Sequence, residues 1–117
     1  SDLKTFGDNH PRVATIRNNL GSAWQAKGDT DKAIGYYEQA LTSNLKTFGD
    51  NHLSVARNRN NLGMAWQEKG DYDKAIVYLE QALTGVRQSL GKEHPSTQAF
   101  MKNLHKAQQA REQKSSD

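Results

Sequence analysis

The sequence contains no cysteine, which excludes disulfides, thiolate metal sites and a cysteine nucleophile. It has no apolar run near the roughly 18–20 residues of a membrane span and no signal-peptide pattern, so a cytoplasmic protein without membrane contact is expected. Bulky apolar residues are scarce: Leu, Ile, Val and Phe number 20 of 117, below the one-fifth or so at which disorder becomes a common outcome. An excess of one charge is missing too. The net charge is +3 and no basic stripe stands out along the chain, so nucleic acid is not an expected partner. No phosphate-binding loop, Ser/His/Asp arrangement or His-Glu-x-x-His motif occurs, which argues against an enzyme and against a cofactor. Only two prolines are present and no low-complexity run precedes the tail. A chain of this length has room for one domain, and one this polar can fold as a thin stack in which most residues face water.

A repeat is present instead. The segment LKTFGDNH at residues 3–10 returns letter for letter at 45–52, and a blurred copy, RQSLGKEH, follows at 87–94. Sliding the chain by 42 aligns residues 3–44 with 45–86 at 31 identical positions of 42. Self-similarity at such a period is the mark of stacked-repeat architectures. Each unit carries two amphipathic patterns. In PRVATIRNNLGSAWQAKG, the residues Val13, Ile16, Leu20, Ala23 and Trp24 recur at three- and four-residue steps and predict a helix, A. In TDKAIGYYEQALTSNLKTFG, Ala33, Ile34, Tyr37, Ala40, Leu41, Leu45 and Phe48 form a stripe of more than four turns and predict a second, B.

The punctuation agrees with those bounds. Gly28 and Gly70 stand where a left-handed residue ends helix A, and Gly49 and Gly91 stop helix B. Asp29 and Asp71 are placed as N-caps of B, with Asp31 and Asp73 in the first turn, where the helix dipole favours them. Pro11 and Pro95 suit the first turn of A, because the N–H they lack would be unpaired there. Gly85 falls inside the second helix B, at a penalty of about 1 kcal/mol relative to alanine. Small residues let A approach B closely, and the expected core is Leu20, Gly21, Trp24, Ala33, Tyr37 and Ala40 in the first unit. In the second it is Leu62, Gly63, Trp66, Ala75, Leu79 and Ala82. The two tryptophans are the expected knobs, each burying about 150–250 Å².

The stretches NNLGSAWQAKGDTDKAIGYYEQAL and NNLGMAWQEKGDYDKAIVYLEQAL resemble the tetratricopeptide repeat (TPR) family: L-G-x-x-aromatic in A, a G-D turn, and A-x-x-x-aromatic-x-x-A in B. The usual period is 34; the eight extra residues here amount to about two turns, or ~12 Å of helix. The linker L-G-x-x-H-P and the start H-P-x-V-A resemble the longer repeats of the kinesin light chain type, with Leu53 replacing proline in the second unit. The resemblance implies an all-α fold, an α-α superhelix (TPR-like solenoid) of antiparallel helix pairs, with about five helices plus a short N-terminal helix remnant. The expected organisation is one repeat domain over 1–117. Residues 1–7 are the tail of a truncated preceding repeat, 8–49 and 50–91 the two helix pairs, 92–114 a capping helix and 115–117 a disordered tail. In the third unit Leu104 and Ala107 keep the helix A pattern, while His105 replaces glycine and Gln108 replaces tryptophan, as suits a solvated terminal helix.

Three equivalent histidines, His10, His52 and His94, invite a metal site. Stacked helices lie ~8–10 Å apart, and equivalent positions are two helices apart. Zinc–nitrogen bonds are about 2 Å, so the three are expected to pack or cap the start of each helix A, with no metal bound. Asp29/Asp31 and Asp71/Asp73 lack the glycine and glutamate of a calcium loop. In the family, A helices line a concave face that holds peptides. By position the resemblance implies Thr15, Asn18, Ser22 and Gln25 from the first unit, and Arg57, Asn60, Met64 and Gln67 from the second. A carboxamide can both donate to and accept from a peptide backbone. The expected function is a non-catalytic protein–protein interaction scaffold, a fragment of a longer array with a protein or peptide partner. The alternative is a self-assembling module, a homo-oligomer joined through open repeat ends.

Overall fold

The computed structural model describes residues 10–116. Five α-helices follow one another: α1 (Pro11–Ala26), α2 (Thr30–Phe48), α3 (Leu53–Lys69), α4 (Tyr72–Leu90) and α5 (Pro95–Ser116). No strand occurs among the described residues. Connections of two to four residues reverse the chain each time, so sequential helices pack antiparallel. The helix remnant expected over residues 1–7 lies outside the described residues. Helix α5 continues to Ser116, so Ser115 and Ser116 are helical where a disordered tail over 115–117 is expected from the sequence; residue 117 lies outside the described residues.

Local chemistry sets the helix ends. Asp29 and Asp71 accept from the backbone N–H of Lys32 and Lys74 at 3.2 and 3.1 Å, capping α2 and α4. Each repeat histidine does the same for an A helix: Nδ1 of His10, His52 and His94 accepts from the N–H of Arg12, Ser54 and Ser96, each at 3.0 Å. The three rings therefore serve three separate helix starts, and His52 also stacks on Phe48 at 3.9 Å. Gly70 ends α3 at φ 93°, a left-handed conformation that glycine enters without a Cβ clash.

The core lies between helix layers in two clusters. Ala33, Ile34, Tyr37 and Leu41 of α2 meet Val55, Leu62 and Ala65 of α3. Ala75, Ile76, Leu79, Leu83 and Val86 of α4 meet Leu104 and Ala107 of α5. Each B helix is thus shared, packing on its own A helix and on the next. Gly21, Ala40, Gly63 and Ala82 are buried. Leu20 is not: expected in the core, it is 39% exposed, whereas its equivalent Leu62 is fully buried by α2. No helix precedes α1 among the described residues, so nothing there covers that face. The tryptophans are also less enclosed than expected. Both are half-buried at the edge of the core, with Lys32 over Trp24 at 4.0 Å and Lys74 over Trp66 at 4.2 Å. Those distances are to the ammonium nitrogens, so each lysine caps a ring face through a cation–π contact.

The two seams between consecutive units differ in one buried pair. At the first, Asn44 of α2 donates to Asn58 of α3 at 2.6 Å, and both side chains are buried. At the second, the equivalent positions are Val86 and Phe100. Truncating Asn58 to alanine would leave the buried Asn44 amide unpaired, at a cost of about 1–3 kcal/mol. Exchanging both partners for the apolar pair of the other seam, Asn44→Val with Asn58→Phe, should be nearly neutral, because no polar group is then stranded. Urea unfolding of the single and double variants checks this; equal losses would refute the pairing.

Candidate functional site

The A helices α1, α3 and α5 are the ones that step from unit to unit, and asparagines stitch them together. Asn18 Oδ1 accepts from Asn61 Nδ2 at 2.9 Å and from Asn58 Nδ2 at 3.3 Å. One unit on, Asn60 Oδ1 accepts from Asn103 Nδ2 at 3.1 Å. The Asn18–Asn61 and Asn60–Asn103 rungs link residues 43 apart, one step beyond the sequence period. Asn18 Oδ1 accepts from two neighbouring amides and Asn60 Oδ1 from one, so both side chains hold the A helices in register.

The remaining candidate residues separate into two groups. Thr15 and Arg57 are exposed near the start of their helices, and the Thr15 hydroxyl donates to its own helix at Pro11 O, 3.1 Å away. Further along, Ser22 and Gln25 hold the phenol of Tyr37: its hydroxyl donates to Gln25 Oε1 at 2.7 Å and lies 3.2 Å from Ser22 Oγ. Burial raises the Tyr37 pKa above its usual 10, the bond to Ser22 opposing that shift, so the phenol stays a neutral donor. The second unit has Leu79 in place of Tyr37, leaving Met64 and Gln67 without that hydroxyl.

A crevice of about 250 Å³ crosses the A helices at this level, lined by Gln25, Met64, Gln67, Glu68, Tyr72, Asn103 and Lys106. It unites three of the eight candidate positions, one from α1 and two from α3. Glu68, Tyr72, Asn103 and Lys106 were missed by positional transfer. The sequence does carry a signal for Asn103: it lies 42 residues after Asn61, the second asparagine of each NNL triplet. A larger crevice of about 740 Å³ opens at the turn edge beside Trp66, Asp71 and Lys114. Ion pairs between consecutive units cross that edge, Lys69 to Asp31 and Arg111 to Asp73, so its charged groups already serve the stacking.

Charge is sorted by helix type. Helices α1, α3 and α5 together carry nine Lys or Arg against two Asp or Glu, while α2 and α4 carry four of each. The linear sequence hides this because A and B segments alternate. Among the described residues no group of three or more side chains able to hold a metal occurs, and no helix is long and apolar enough to cross a membrane.

The family model of the tetratricopeptide repeat matches residues 3–46 and 23–88. Among solved structures, BtubC (BKLC) from P. vanneervenii is 32% identical with a TM-score of 0.82, over 92% of this chain and 44% of that one. The nearly identical TPR-like repeats of a Podosopora anserina protein, described as a kinesin light chain, are 31% identical with a TM-score of 0.87. That match covers 96% of this chain and 53% of the other. A variant of the same repeats gives 29% identity and a TM-score of 0.79, over 98% and 54%. The chain therefore spans about half the length of the structures it matches. No curated protein matches it.

Proposed function

The chain belongs to the tetratricopeptide repeat family, whose repeats are in general protein–protein interaction modules, and on that premise we propose that it is a non-catalytic scaffold gripping a peptide segment across α1, α3 and α5. The observation that carries the reading is the crevice where Gln25, Met64, Gln67, Asn103 and Lys106 converge from three helices. The Gln67 carboxamide suits a peptide backbone, the Met64 thioether suits an apolar side chain, and Lys106 supplies positive charge. The surplus of basic residues on the A helices favours an acidic segment and fast, salt-sensitive association.

The test is fluorescence anisotropy with acidic, neutral and basic peptide sets of matched length. Acidic peptides should bind best and weaken as salt shortens the reach of the charges to about 10 Å or less. Lys106→Glu should cost roughly tenfold or more in affinity, and Gln67→Ala a smaller factor. Binding that ignores both changes would move the site off this face.

One observation favours a second reading, self-association. Leu20 and Ala23 are exposed on α1, while their counterparts Leu62 and Ala65 are fully buried. An apolar face that matches a packed one elsewhere in the chain can be met by another copy. Light scattering over a concentration series should show a rising mass that Leu20→Asp abolishes. A mass fixed at the monomer value across the series would refute it.

A further inference from the structure

The chain has two sulfur atoms, in Met64 and Met101, and no cysteine to compete with them for oxidant. Met101 is half-buried against the second core cluster. Met64 is 39% exposed and lines the crevice across the A helices. Its sulfur is met by two carboxamides, with Asn60 Nδ2 at 3.7 Å and Asn103 Nδ2 at 3.6 Å. Asn103 Nδ2 uses its other hydrogen on Asn60 Oδ1 at 3.1 Å, closing a triangle that ties α3 to α5 directly beside the exposed thioether. The equivalent positions in the other units are Ser22 and Lys106, both polar, so this level of the A helices accommodates polar groups.

We propose that Met64 is a reversible oxidation site, in which hydrogen peroxide converts the thioether to a sulfoxide whose oxygen is held by the Asn60 and Asn103 amides. A sulfur lone pair attacks one peroxide oxygen, the O–O bond breaks as the S–O bond forms, and the second oxygen leaves as water after proton transfer. Sulfur gives up two electrons and the peroxide takes them. A thioether is a weak acceptor, whereas a sulfoxide oxygen is strongly polar, so the same N–H groups make better bonds to the product. The flexible methionine chain lets the new oxygen reach them. Oxidation of a core methionine disrupts packing; here it strengthens the α3–α5 link and makes the crevice more polar.

The experiment treats the full chain with dilute hydrogen peroxide and follows each methionine by peptide mass spectrometry. Met64 should gain one oxygen several-fold faster than Met101, in line with its exposure. Melting is then compared before and after oxidation in a Met101→Leu background, where Met64 is the sole sulfur. The midpoint should rise by a few degrees, about the effect of one improved hydrogen bond in a domain of this size. A methionine sulfoxide reductase should reverse it. Asn103→Asp, which puts an acceptor where the donor was, should turn the rise into a fall, and Asn103→Ala should abolish it. Equal oxidation rates at the two methionines, a midpoint that falls on oxidation of the parent, or the same shift in parent and Asn103→Asp would overturn the assignment.

Discussion

Leu62→Ala is expected to destabilise the protein by about 2–5 kcal/mol, while Leu20→Ala is expected to cost about 1 kcal/mol or less. Both leucines sit in the same N-N-L-G context, 42 residues apart. Leu62 is fully buried where α2 covers α3; Leu20 is 39% exposed. Removing Leu62 leaves a cavity in a cluster that shares Tyr37, Leu41, Val55 and Ala65, and a stack only two helices thick has little freedom to collapse into it. Removing Leu20 takes away surface that water already wets. Urea unfolding measured side by side reads the difference, and matching losses would show that α1 is covered in solution.

The second large effect is at a close helix contact. A Cβ at Gly63 would lie 2.5 and 2.6 Å from Leu79 Cγ and Cδ2, and 3.1 Å from the Ala75 backbone oxygen. The leucine is fully buried and the carbonyl belongs to α4, so neither can move without shifting the helix. Gly63→Ala should therefore cost about 1–3 kcal/mol or more through overpacking. Gly35→Ala in α2 meets nothing within 4 Å and should stabilise by about 0.5–1 kcal/mol through helix propensity. The same substitution thus carries opposite signs at two helical sites. A stabilising Gly63→Ala in thermal or urea unfolding would mean that α3 and α4 are farther apart than the structure places them.

The crevice was only partly legible in advance. Gln25, Met64 and Gln67 follow from helix phase and the family resemblance, because residues three and four apart share a face. That Gln25 is already bonded by Tyr37 while Gln67 is not depends on a single exchange, Tyr37 for Leu79, felt across the pair of helices. Asn18 and Asn60 looked like ligand contacts because a carboxamide serves either purpose equally well. Their engagement with Asn61 and Asn103 follows from how far one A helix is offset from the next, a distance that periodicity does not contain.

By itself the sequence determined the repeat, the helix type and nearly every helix end. Those depend on interactions within a few residues: the Asp29 and Asp71 caps, the histidine caps and the glycine stops act on their own backbone neighbours. Tertiary structure alone decided burial and pairing. Leu20 and Leu62, identical in local context, part because among the described residues only Leu62 has a B helix across it, and the Asn44–Asn58 pair is buried because two helices bring it together. Burial belongs to the neighbour as much as to the residue, and in a repeat chain the neighbour is the one thing that identical units do not share.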